Sequence, residues 1–418
     1  MSKKSKKNVP QLRFPEFTEK WQKKTLKEIS ISGFSNGVFN DPSKVGRGYR
    51  LINVKDMYSG ESIDIDTLTR LELDEKEFLK NRASYGDIFF TRSSLVKEGI
   101  AHSNVLLSRA EDITYDGHLI KLSPRQNTYL PQFIAAALKN STSRKQLVAR
   151  GKTGTMTTIG QDDIATVKLT IPSIAEQEKI ASFLAAVDTR LAQLRRKHEL
   201  LQTYKRGVMQ KLFSQRIRFK CDDGKPFPDW EEKRLESVCT MTSSKRIYLE
   251  EYVKDGIPFY RGKEVTELKQ GKKPNDILYI SRNKYEEIRE KYGIPIAGDI
   301  LVTAVGTLGN VWRINRNYDF YFKDGNLIWL KNISTNSIFL AILLQENTEE
   351  LIKTSIGSTQ KALTIVELKK ISLNFPCLQE QKKIADFLTM IDKKIEAIAQ
   401  QIELTEQFKK GLLQKMFV

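Results

Sequence analysis

The chain has 418 residues, more than one ordinary hydrophobic core organises, so its length predicts two or more domains. Lys and Arg outnumber Asp and Glu by 69 to 51, and the formal net charge of +18 favours a polyanionic partner, either nucleic acid or, as the alternative, an anionic membrane surface. No run of about 18 apolar residues occurs, which argues against a membrane-spanning helix. The three cysteines form no CxxC pair, which argues against a zinc site or a disulfide framework and fits a reducing cytoplasm.

The N-terminal stretch "MSKKSKKNVP" is basic, and polar sequence follows it in place of the apolar segment of a secretory signal. We therefore expect residues 1–10 to form a disordered basic tail. Residues 11–172 have the mixed pattern of a globular domain. In this domain "GDIFFT" from Gly86 and "HLIKL" from His118 predict short buried strands that follow turns, and "LPQFIAAALKN" from Leu130 predicts a helix.

Residues 173–213 carry a different signal, that of one long helix. Ser173 and Glu176 predict a capping box that starts this helix directly after Pro172. Its apolar residues alternate four and three positions apart, the 3.5-residue period of a coiled-coil seam. The seam positions are Ile180, Leu184, Val187, Leu191, Leu194, Leu201, Val208 and Leu212, with His198 and Lys205 filling the gaps.

The second half of the chain repeats the first. Ile164–Phe213 aligns without a gap with Leu368–Phe417, and 15 of the 39 aligned positions from Ala175 to Phe213 are identical. Upstream, "GDILVT" from Gly298 repeats the first buried strand. We therefore assign residues 214–376 to a second mixed domain and residues 377–418 to a second long helix. Its seam positions are Ile384, Leu388, Ile391, Ile395, Ile398, Ile402, Leu412 and Met416.

The expected fold is α+β, with two mixed α/β domains separated by an antiparallel coiled coil of two long helices. A seam of about 38 residues spans roughly 57 Å, more than packing on one small domain requires, so each helix needs a partner. The other copy is the obvious partner. A pseudo-twofold axis between the two halves would set the helices antiparallel and make the pair a spacer of fixed length.

A search for catalytic motifs finds none that is convincing. The Pro-Pro-aromatic motif with which an adenine or cytosine-amino methyltransferase holds a flipped base is missing, since no Pro-Pro pair occurs. A phosphate-binding loop is excluded because Gln146 stands where its first glycine is required. Asp229 with Glu267 and Lys269 matches a metal-dependent nuclease pattern, but so short a pattern arises easily by chance.

Both halves end in a paired motif, "E-Q-x-K-I-A-x-F-L" followed by "K-[RK]-G-x-x-Q-K-[LM]-F". Together with the two variable domains, this motif resembles the specificity subunit of bacterial type I restriction-modification systems, and the resemblance covers nearly the whole chain. The matching residues are Pro172, Glu176, Gln177, Lys179, Ile180, Ala181, Phe183, Leu184, Lys205, Gly207, Gln210, Lys211 and Phe213 in the first half, and Pro376, Glu380, Gln381, Lys383, Ile384, Ala385, Phe387, Leu388, Lys409, Gly411, Gln414, Lys415 and Phe417 in the second.

The resemblance implies a non-catalytic, cytoplasmic, DNA-binding subunit with no membrane association. Each domain would be a target-recognition domain that reads one half of a bipartite, asymmetric double-stranded DNA target. Two methyltransferase subunits and two restriction subunits would be the partners, and this chain would bind no cofactor itself. S-adenosylmethionine, ATP and Mg²⁺ would lie on the partner subunits, which methylate adenine or cleave DNA. Two alternatives stay open: a stand-alone nuclease or methyltransferase, and a coiled-coil scaffold without a DNA role.

Candidate site residues come from loops at matching places in the two halves and from the paired motif. We predict DNA contacts from residues of the first domain, Lys55, Arg92, Lys97, Lys152 and Thr155, and of the second, Lys263, Thr303, Thr307, Thr359 and Lys361. We assign to the spacer helices and to the interface with partner subunits Glu176, Gln177, Gly207, Gln210, Lys211, Glu380, Gln381, Gly411, Gln414 and Lys415. No catalytic and no metal-binding residue is predicted.

Overall fold

The computed structural model describes residues 9–355 and 361–418, and the chain divides into two compact units. The first unit consists of Met1–His198 and Ile398–Val418, and the second of Glu199–Ala397. The two long helices predicted from the heptad pattern are confirmed. The first long helix is Ile174–Phe213 and the second long helix is Leu378–Lys415, so each helix contributes residues to both units.

The first unit is built on a four-stranded antiparallel sheet. Its order is Ser30–Asn36, Leu119–Pro124, Ile88–Thr91 and Ser103–Val105. The remaining strands are Gln22–Thr25, Val45–Ile52, Thr69–Leu71, Ser93–Ser94, Ile113–Tyr115, Lys152–Thr153, Thr157–Thr158 and Lys168–Ile171. The α-helices besides the long ones are Leu26–Ile29, Glu75–Lys80, Pro131–Lys139, Ser141–Arg150 and Gln161–Ala165, and the 3₁₀ helices are Pro42–Lys44, Val54–Tyr58, Ile65–Thr67 and Lys97–Gly99.

The second unit repeats this topology. Its equivalent sheet has the order Thr240–Thr242, Leu327–Lys331, Ile300–Thr303 and Val311–Arg313. The remaining strands are Glu231–Arg234, Tyr252–Val253, Ile257–Tyr260, Leu278–Ile280, Tyr321–Phe322 and Ser372–Phe375. The α-helices are Leu235–Val238, Gly262–Lys269, Arg282–Tyr292, Ser337–Glu346, Thr348–Lys353 and Ile365–Lys370, with one 3₁₀ helix at Leu249–Glu251. The predicted α+β class with an internal repeat is therefore confirmed.

The central strand of each main sheet is the one predicted from "GDIFFT" and "GDILVT". All residues of Ile88–Thr91 and of Ile300–Thr303 are buried, as expected for strands covered on both faces. Each strand follows a glycine in the left-handed region, Gly86 at φ +90° and Gly298 at φ +100°, a conformation that disfavours any residue with a side chain. These strands fix the direction in which the loops after them leave the sheet.

The predicted seam of each long helix is buried where it packs within its own unit. In the first unit Ile180, Leu184 and Val187 share a core with Leu412 of the second long helix and with Met416, which directly follows that helix. The core of the second unit likewise brings Leu212 together with the seam residues Ile384, Leu388 and Ile391. Each unit therefore holds one end of each helix.

Ion pairs show that the two helices run antiparallel in the first unit. Asp188 Oδ1 lies 2.6 Å from Lys409 Nζ, and Glu406 Oε1 lies 2.6 Å from Arg195 Nη2, so the numbering rises along one helix as it falls along the other. In the second unit Asp392 Oδ1 lies 2.6 Å from Lys205 Nζ. Asp392 and Lys205 are the repeat equivalents of Asp188 and Lys409. In this pair the carboxylate lies on the second long helix and the lysine on the first.

In the first unit the same lysine also joins the helix pair to the domain. Lys409 Nζ lies 2.5 Å from Glu61 Oε1, and Lys139 Nζ lies 2.9 Å from Glu61 Oε2. Burial by itself would raise the pKa of Glu61, but the two lysines outweigh it and lower that pKa to about 2. Glu61 therefore keeps its charge at neutral pH and links the second long helix to the domain helix that carries Lys139. Burial raises the pKa of Asp188, the other carboxylate beside Lys409.

The start of the first long helix is fastened to its domain by a buried carboxylate. Glu176 is 1% exposed, and its two oxygens accept hydrogen bonds from Arg13 Nε and Nη2, both at 2.7 Å. The indole nitrogen of Trp21 donates to Glu176 Oε2 at 3.2 Å. The predicted capping box with Ser173 is wrong in this respect, because the carboxylate binds the N-terminal segment instead of the helix's own first backbone amides.

The second long helix starts with the same arrangement. Glu380 is fully buried, and its oxygens accept hydrogen bonds from Arg218 Nε at 3.2 Å and Nη2 at 2.8 Å. Trp230 donates its indole hydrogen to Glu380 Oε2 at 3.2 Å. We call these two arrangements the Glu–Arg–Trp locks. Each lock joins the segment that enters a domain to the helix that leaves it.

The glutamine beside each lock glutamate makes backbone contacts with the same domain. Gln177 Oε1 accepts from the amide of Leu130, and Gln177 Nε2 donates to the carbonyl oxygens of Thr128 and Pro172. Gln381 Oε1 accepts from the amide of Asn336 at 2.9 Å, and its Nε2 donates to the Pro376 carbonyl at 2.8 Å. Both glutamines are almost fully buried. They therefore hold the turn that precedes the next helix of the domain.

Replacing the lock glutamate is expected to loosen one unit and leave the other intact. Glu176→Ala removes the partner of Arg13, whose side chain is 11% exposed, and breaking a buried pair from one side costs about 3–5 kcal/mol. Urea unfolding should report this loss, and hydrogen exchange should place it in the first unit for Glu176→Ala and in the second for Glu380→Ala.

The exposed neighbour Glu178 provides the control, because Glu178→Ala changes the same helix turn without touching the lock. A loss below about 1 kcal/mol for Glu176→Ala, or exchange that rises equally in both units, would contradict the structural role assigned to the lock.

Candidate nucleic-acid interface

The predicted DNA-contact residues of the first domain meet at the end of its central strand. Arg92 directly follows the strand Ile88–Thr91 and is exposed. Thr157–Thr158, the second strand of the hairpin that begins at Lys152, pairs with Ser93–Ser94 immediately after Arg92. In this small three-stranded sheet the middle strand Thr157–Thr158 lies between Lys152 on one side and the segment that follows Arg92 on the other. We call this sheet the first loop corner.

Three further predicted residues lie around the first loop corner. Thr155 is exposed at the tip of the hairpin, and Lys97 is exposed at the start of the 3₁₀ helix Lys97–Gly99, which follows Ser93–Ser94. Lys55 is exposed on the 3₁₀ helix Val54–Tyr58. In the sequence these five residues span about a hundred positions, and the strand pairing brings them to one end of the sheet.

His102 connects the turn of Lys55 to the same corner. Its backbone amide donates to Thr91 Oγ1 at 2.9 Å, its Nε2 lies 3.0 Å from the Met57 carbonyl oxygen, and its ring stacks on Tyr58 at 4.4 Å. Burial lowers the pKa of His102, so a neutral imidazole is expected there at pH 7. His102 is therefore a positioning residue of the corner and adds no charge to it.

The electrostatics of the first loop corner are positive. Among the residues that the structure describes, Lys55, Arg92 and Lys97 have no carboxylate within ion-pair distance, whereas Lys152 Nζ lies 3.1 Å from Asp163 Oδ2. Three cations are thus available to an external anion, and the fourth is partly neutralised. Such cations at loop tips can neutralise phosphates, and they bind more weakly as salt is added.

In the second domain the predicted residues gather at the equivalent strand end. The loop after Ile300–Thr303 carries exposed Thr307, and Val305 in this loop forms a bridge with Ala362, which places exposed Lys361 alongside. Exposed Lys263 lies in the first turn of the helix Gly262–Lys269. A Cβ on Gly262 would lie 3.7 Å from Thr303, so this helix begins against the strand end. We call this region the second loop corner.

Of the other two predicted DNA-contact residues of the second domain, one is buried and one lies outside the described residues. Thr303 is 1% exposed, its hydroxyl donates to the Thr307 carbonyl oxygen and accepts from the Asn310 amide, and it therefore shapes the loop instead of facing solvent. Thr359 lies outside the described residues. We therefore assign a direct contact with a base to neither threonine.

An apolar feature of the first loop corner was missed at the level of sequence. Leu95 is 84% exposed, Val96 is 61% exposed, and Met156 on the facing hairpin is 41% exposed. Apolar side chains in the middle of a basic surface are suited to contact with thymine methyl groups or with base edges. Leu95 and Val96 lie between Ser94 and Lys97, outside any alternating apolar and polar pattern of a buried strand. Two adjacent apolar residues in a polar loop were the one sequence signal that could have indicated this exposed apolar patch.

The paired motif of the helices divides into buried and exposed residues. Glu176, Gln177, Glu380 and Gln381 lie on the spacer helices, as assigned, and their side chains are buried within their own units. A role for them at a partner interface stays a prediction. Exposed residues of the motif are Gln210, Lys211, Gln414 and Lys415, and Gly207 and Gly411 are half-buried beside them. Apart from the chain neighbours and the helix's own nearby backbone, no heavy atom lies within 4 Å of a Cβ added at either glycine, so no other element of the described chain packs against them there.

The nuclease pattern noted in the sequence falls in separate places. Asp229 contacts Arg218 beside the second lock, whereas Lys269 contacts Gln345 and Asn310. Within residues 9–355 and 361–418, no group of three or more His, Cys, Asp or Glu side chains is arranged to hold a metal ion. Over the same residues, no helix has the length and apolar character needed to cross a membrane.

Comparison with known proteins identifies the family. The model of the type I restriction modification DNA specificity domain matches the chain twice, over residues 18–202 and 228–407. The chain therefore belongs to the family of type I restriction-modification specificity subunits, DNA-binding proteins, as the resemblance of its paired motif predicted.

One curated relative and two solved structures match nearly the whole chain, and a second relative matches less than half of it. A putative type I restriction enzyme specificity subunit of Methanocaldococcus jannaschii is 25% identical over 434 residues, covering 97% of this chain and 95% of that protein. A putative type I restriction enzyme specificity subunit of Haemophilus influenzae is 31% identical over 176 residues, 41% of this chain and 42% of that protein. The S subunit of M. genitalium shares the fold with a TM-score of 0.57 at 16% identity, covering 98% of this chain and 99% of its own. The HsdS subunit of Thermoanaerobacter tengcongensis has a TM-score of 0.52 at 17% identity, covering 95% and 96%.

Proposed function

We propose that each domain reads one half of a bipartite, asymmetric double-stranded DNA target through its loop corner. The observation that carries this proposal is the convergence of Lys55, Arg92, Lys97 and Lys152 at the end of one buried strand. Lys263, Thr307 and Lys361 gather at the equivalent strand end of the second domain. Because the two corners differ in residues and in local structure, they would select different half-sites.

The two kinds of contact have different consequences. Lysine and arginine contacts with phosphates supply affinity that is independent of sequence, whereas side chains that reach base edges supply the choice of sequence. At the first loop corner, Arg92 is the candidate for a guanine edge, because a guanidinium bonds O6 and N7 together. Leu95 and Val96 are the candidates for apolar contact with the bases.

The chemistry of methylation and cleavage is proposed to reside in other subunits of the complex. Two methyltransferase subunits would hold S-adenosylmethionine, and two restriction subunits would use ATP and Mg²⁺ for translocation and cleavage. The specificity subunit would then act by placing these enzymes on the target.

Removing cations from the first loop corner is expected to lower the salt dependence of DNA binding. If Arg92 and Lys97 each neutralise one phosphate, Arg92→Ala with Lys97→Ala should reduce the slope of log K against log salt by about 1.8. Fluorescence anisotropy with a duplex that carries the target, at several salt concentrations, measures this slope.

The matched control is Lys76→Ala with Lys80→Ala. Both lysines are exposed on the helix Glu75–Lys80, which precedes the opposite end of the central strand. An unchanged slope for the Arg92 and Lys97 variant, or an equal change in the control, would contradict the assignment of the first loop corner.

We further propose that the two long helices set the number of base pairs between the half-sites. Each helix supplies residues to both units, so a change in helix length alters the separation of the domains without altering either loop corner. Four residues inserted into both helices, after His198 and after Ala397, add about 6 Å. At about 3.4 Å per base pair, the spacer of the target should lengthen by one or two base pairs.

Methylome sequencing of cells that express the inserted variant reads both half-sites and the spacer. The expected result is two unchanged half-sites with a longer gap, and sequencing of the parent chain is the reference. A changed half-site, or an unchanged spacer in an active variant, would contradict the proposed role of the helix pair.

The exposed end of the paired motif is proposed to dock the methyltransferase subunits. Gly207 and Gly411 leave the helix backbone uncovered next to Gln210, Lys211, Gln414 and Lys415. Alanine has space at both glycines and favours a helix by about 1 kcal/mol per residue. Gly207→Ala and Gly411→Ala should therefore raise the melting temperature of the isolated subunit and weaken capture of the methyltransferase subunit.

Thermal unfolding and co-purification separate the two effects. Gln401→Ala, at an exposed position on the second long helix, is the control and should change neither capture nor stability by much. Full capture by the glycine variants, or a parallel loss of capture and stability, would remove the glycines from the docking surface.

A further inference from the structure

An aromatic cleft opens on the second domain, apart from the loop corner. It has a volume of about 750 Å³, within the range of ligand-binding clefts. The rings of Tyr260, Tyr279, Trp312 and Tyr318 line it, together with Pro258, Leu268, Pro274 and Ile277. Tyr260 and Trp312 form an edge contact with ring centroids 6.4 Å apart.

One buried ring packs against three of the aromatic rings of the cleft. Buried Phe320 lies 5.2 Å from Tyr260, 5.7 Å from Trp312 and 5.0 Å from Tyr318, measured between ring centroids. Tyr318 and Tyr279 are only partly buried, so they present ring surface to the cleft.

The rim of the cleft is positively charged. Lys272, Lys273 and Arg316 are exposed on it, and no carboxylate belongs to the lining that the described residues form. Three acids adjoin lining residues in the sequence: Glu267 precedes Leu268, Asp276 pairs with Arg261, and Asp319 pairs with Arg282. Cations beside aromatic rings match an anionic ligand that contains a flat ring.

The fold does not require this cleft. Tyr260 and Phe322 are partners in a parallel pair of strands, and the equivalent parallel pair of the first domain has Ile52 at the position of Tyr260. An aliphatic residue thus serves the same topology. Tyr260 and Trp312 belong to the buried core of the second domain, whereas Tyr279 and Tyr318 are partly exposed in the cleft. Core packing accounts for the first two rings and leaves the exposed ring surface of the other two unexplained.

The helix Gly262–Lys269 joins the cleft to the second loop corner. Lys263 lies in its first turn at the corner, and Leu268 lies in its last turn at the cleft, roughly 8 Å further along the axis. After the helix, Gly271 adopts φ +70° and the Lys272 amide donates to the Glu267 carbonyl oxygen, which turns the lysine loop back over the cleft. A DNA strand held at the corner would pass close to the cleft.

From this arrangement we propose that the aromatic cleft accepts one unstacked nucleotide of the DNA bound at the second loop corner. The base stacks on Tyr318 and Tyr279, and Lys272, Lys273 and Arg316 bind its flanking phosphates. Aromatic side chains and cations in one groove are the means by which proteins hold unpaired nucleotides. The cleft is open, so a free nucleotide gains little from it, whereas a nucleotide within bound DNA arrives at high effective concentration.

This inference rests on the proposed function, because the DNA must first be held at the loop corner. Its test compares two duplexes of the same target sequence, one fully paired and one with a single unpaired nucleotide, binding to the full chain. Anisotropy should show tighter binding of the duplex with the unpaired nucleotide, and Tyr318→Ala should reduce this preference at least about fivefold. Tyr318→Phe keeps the ring and should retain the preference.

Controls separate the cleft from the loop corner. Tyr248→Ala, at an exposed tyrosine of the same domain outside the cleft, should leave the preference unchanged. Lys263→Ala should weaken binding of both duplexes by the same factor and preserve the ratio. Thermal unfolding verifies that Tyr318→Ala is folded.

Three outcomes would overturn the proposal: no preference in the parent chain, a preference that Tyr318→Ala keeps, or competition by free dAMP as strong as by the unpaired nucleotide in DNA. Displacement of the unpaired DNA by a proline-rich peptide at equal concentration would assign the cleft to a protein partner instead. If Lys263→Ala leaves duplex binding intact while Tyr318→Ala abolishes the preference, the cleft stands and the loop corner fails.

Discussion

The Glu–Arg–Trp lock is the interaction on which the rest of each half depends. A long amphipathic helix packed on a domain by apolar contacts alone can rotate or slide, because one leucine replaces another at little cost. A buried carboxylate with a bidentate arginine and an indole donor permits one position only. Desolvation of the charge is costly, so the lock contributes specificity of placement more than net stability.

The lock also closes each domain on itself. Arg13 and Arg218 belong to the segments that enter the domains, and Glu176 and Glu380 to the helices that leave them. The glutamine after each glutamate bonds the turn before a neighbouring domain helix. Everything between entry and exit can therefore differ without moving the helix. The two domains illustrate this, since the first has a three-stranded loop sheet where the second has a single bridge.

Much of the fold could be predicted from periodicity, and the errors have physical causes. The 3.5-residue seam and the buried strands after Gly86 and Gly298 depend on local patterns, and these were predicted correctly. Glu176 and Gln177 were assigned to the spacer helices and the partner interface from the paired motif alone, and the structure shows both on the first long helix with buried side chains. Their spacing indicates burial, because they lie four and three residues before Ile180 and so continue the buried seam. Thr303 was misjudged because a polar residue at a strand end can close the loop it begins.

The loop corners and the aromatic cleft were accessible to sequence reasoning only in part. Matching loops of the repeat indicated which residues to choose, and strand pairing then brought them together. The cleft gave no such signal, because Tyr260, Tyr279, Trp312 and Tyr318 are dispersed and only the strand registers that pair Pro258 with Tyr279 and Leu301 with Trp312 bring them into one place. A register is a property of the folded sheet that a list of apolar residues does not contain.

The net charge of +18 overstates the positive surface that DNA can meet. On the long helices Lys205 pairs with Asp392, and Lys409 pairs with Asp188 and Glu61. The lock arginines pair with buried glutamates. Lys55, Arg92, Lys97 and Lys263 make no ion pair within the described part of the chain and lie on loops or at the first turn of a short helix. Composition therefore points to a polyanionic partner, but the pairing of charges decides where that partner binds. The paired cations Lys205 and Lys409 hold elements of the protein together, and the unpaired cations of the loop corners are left for DNA.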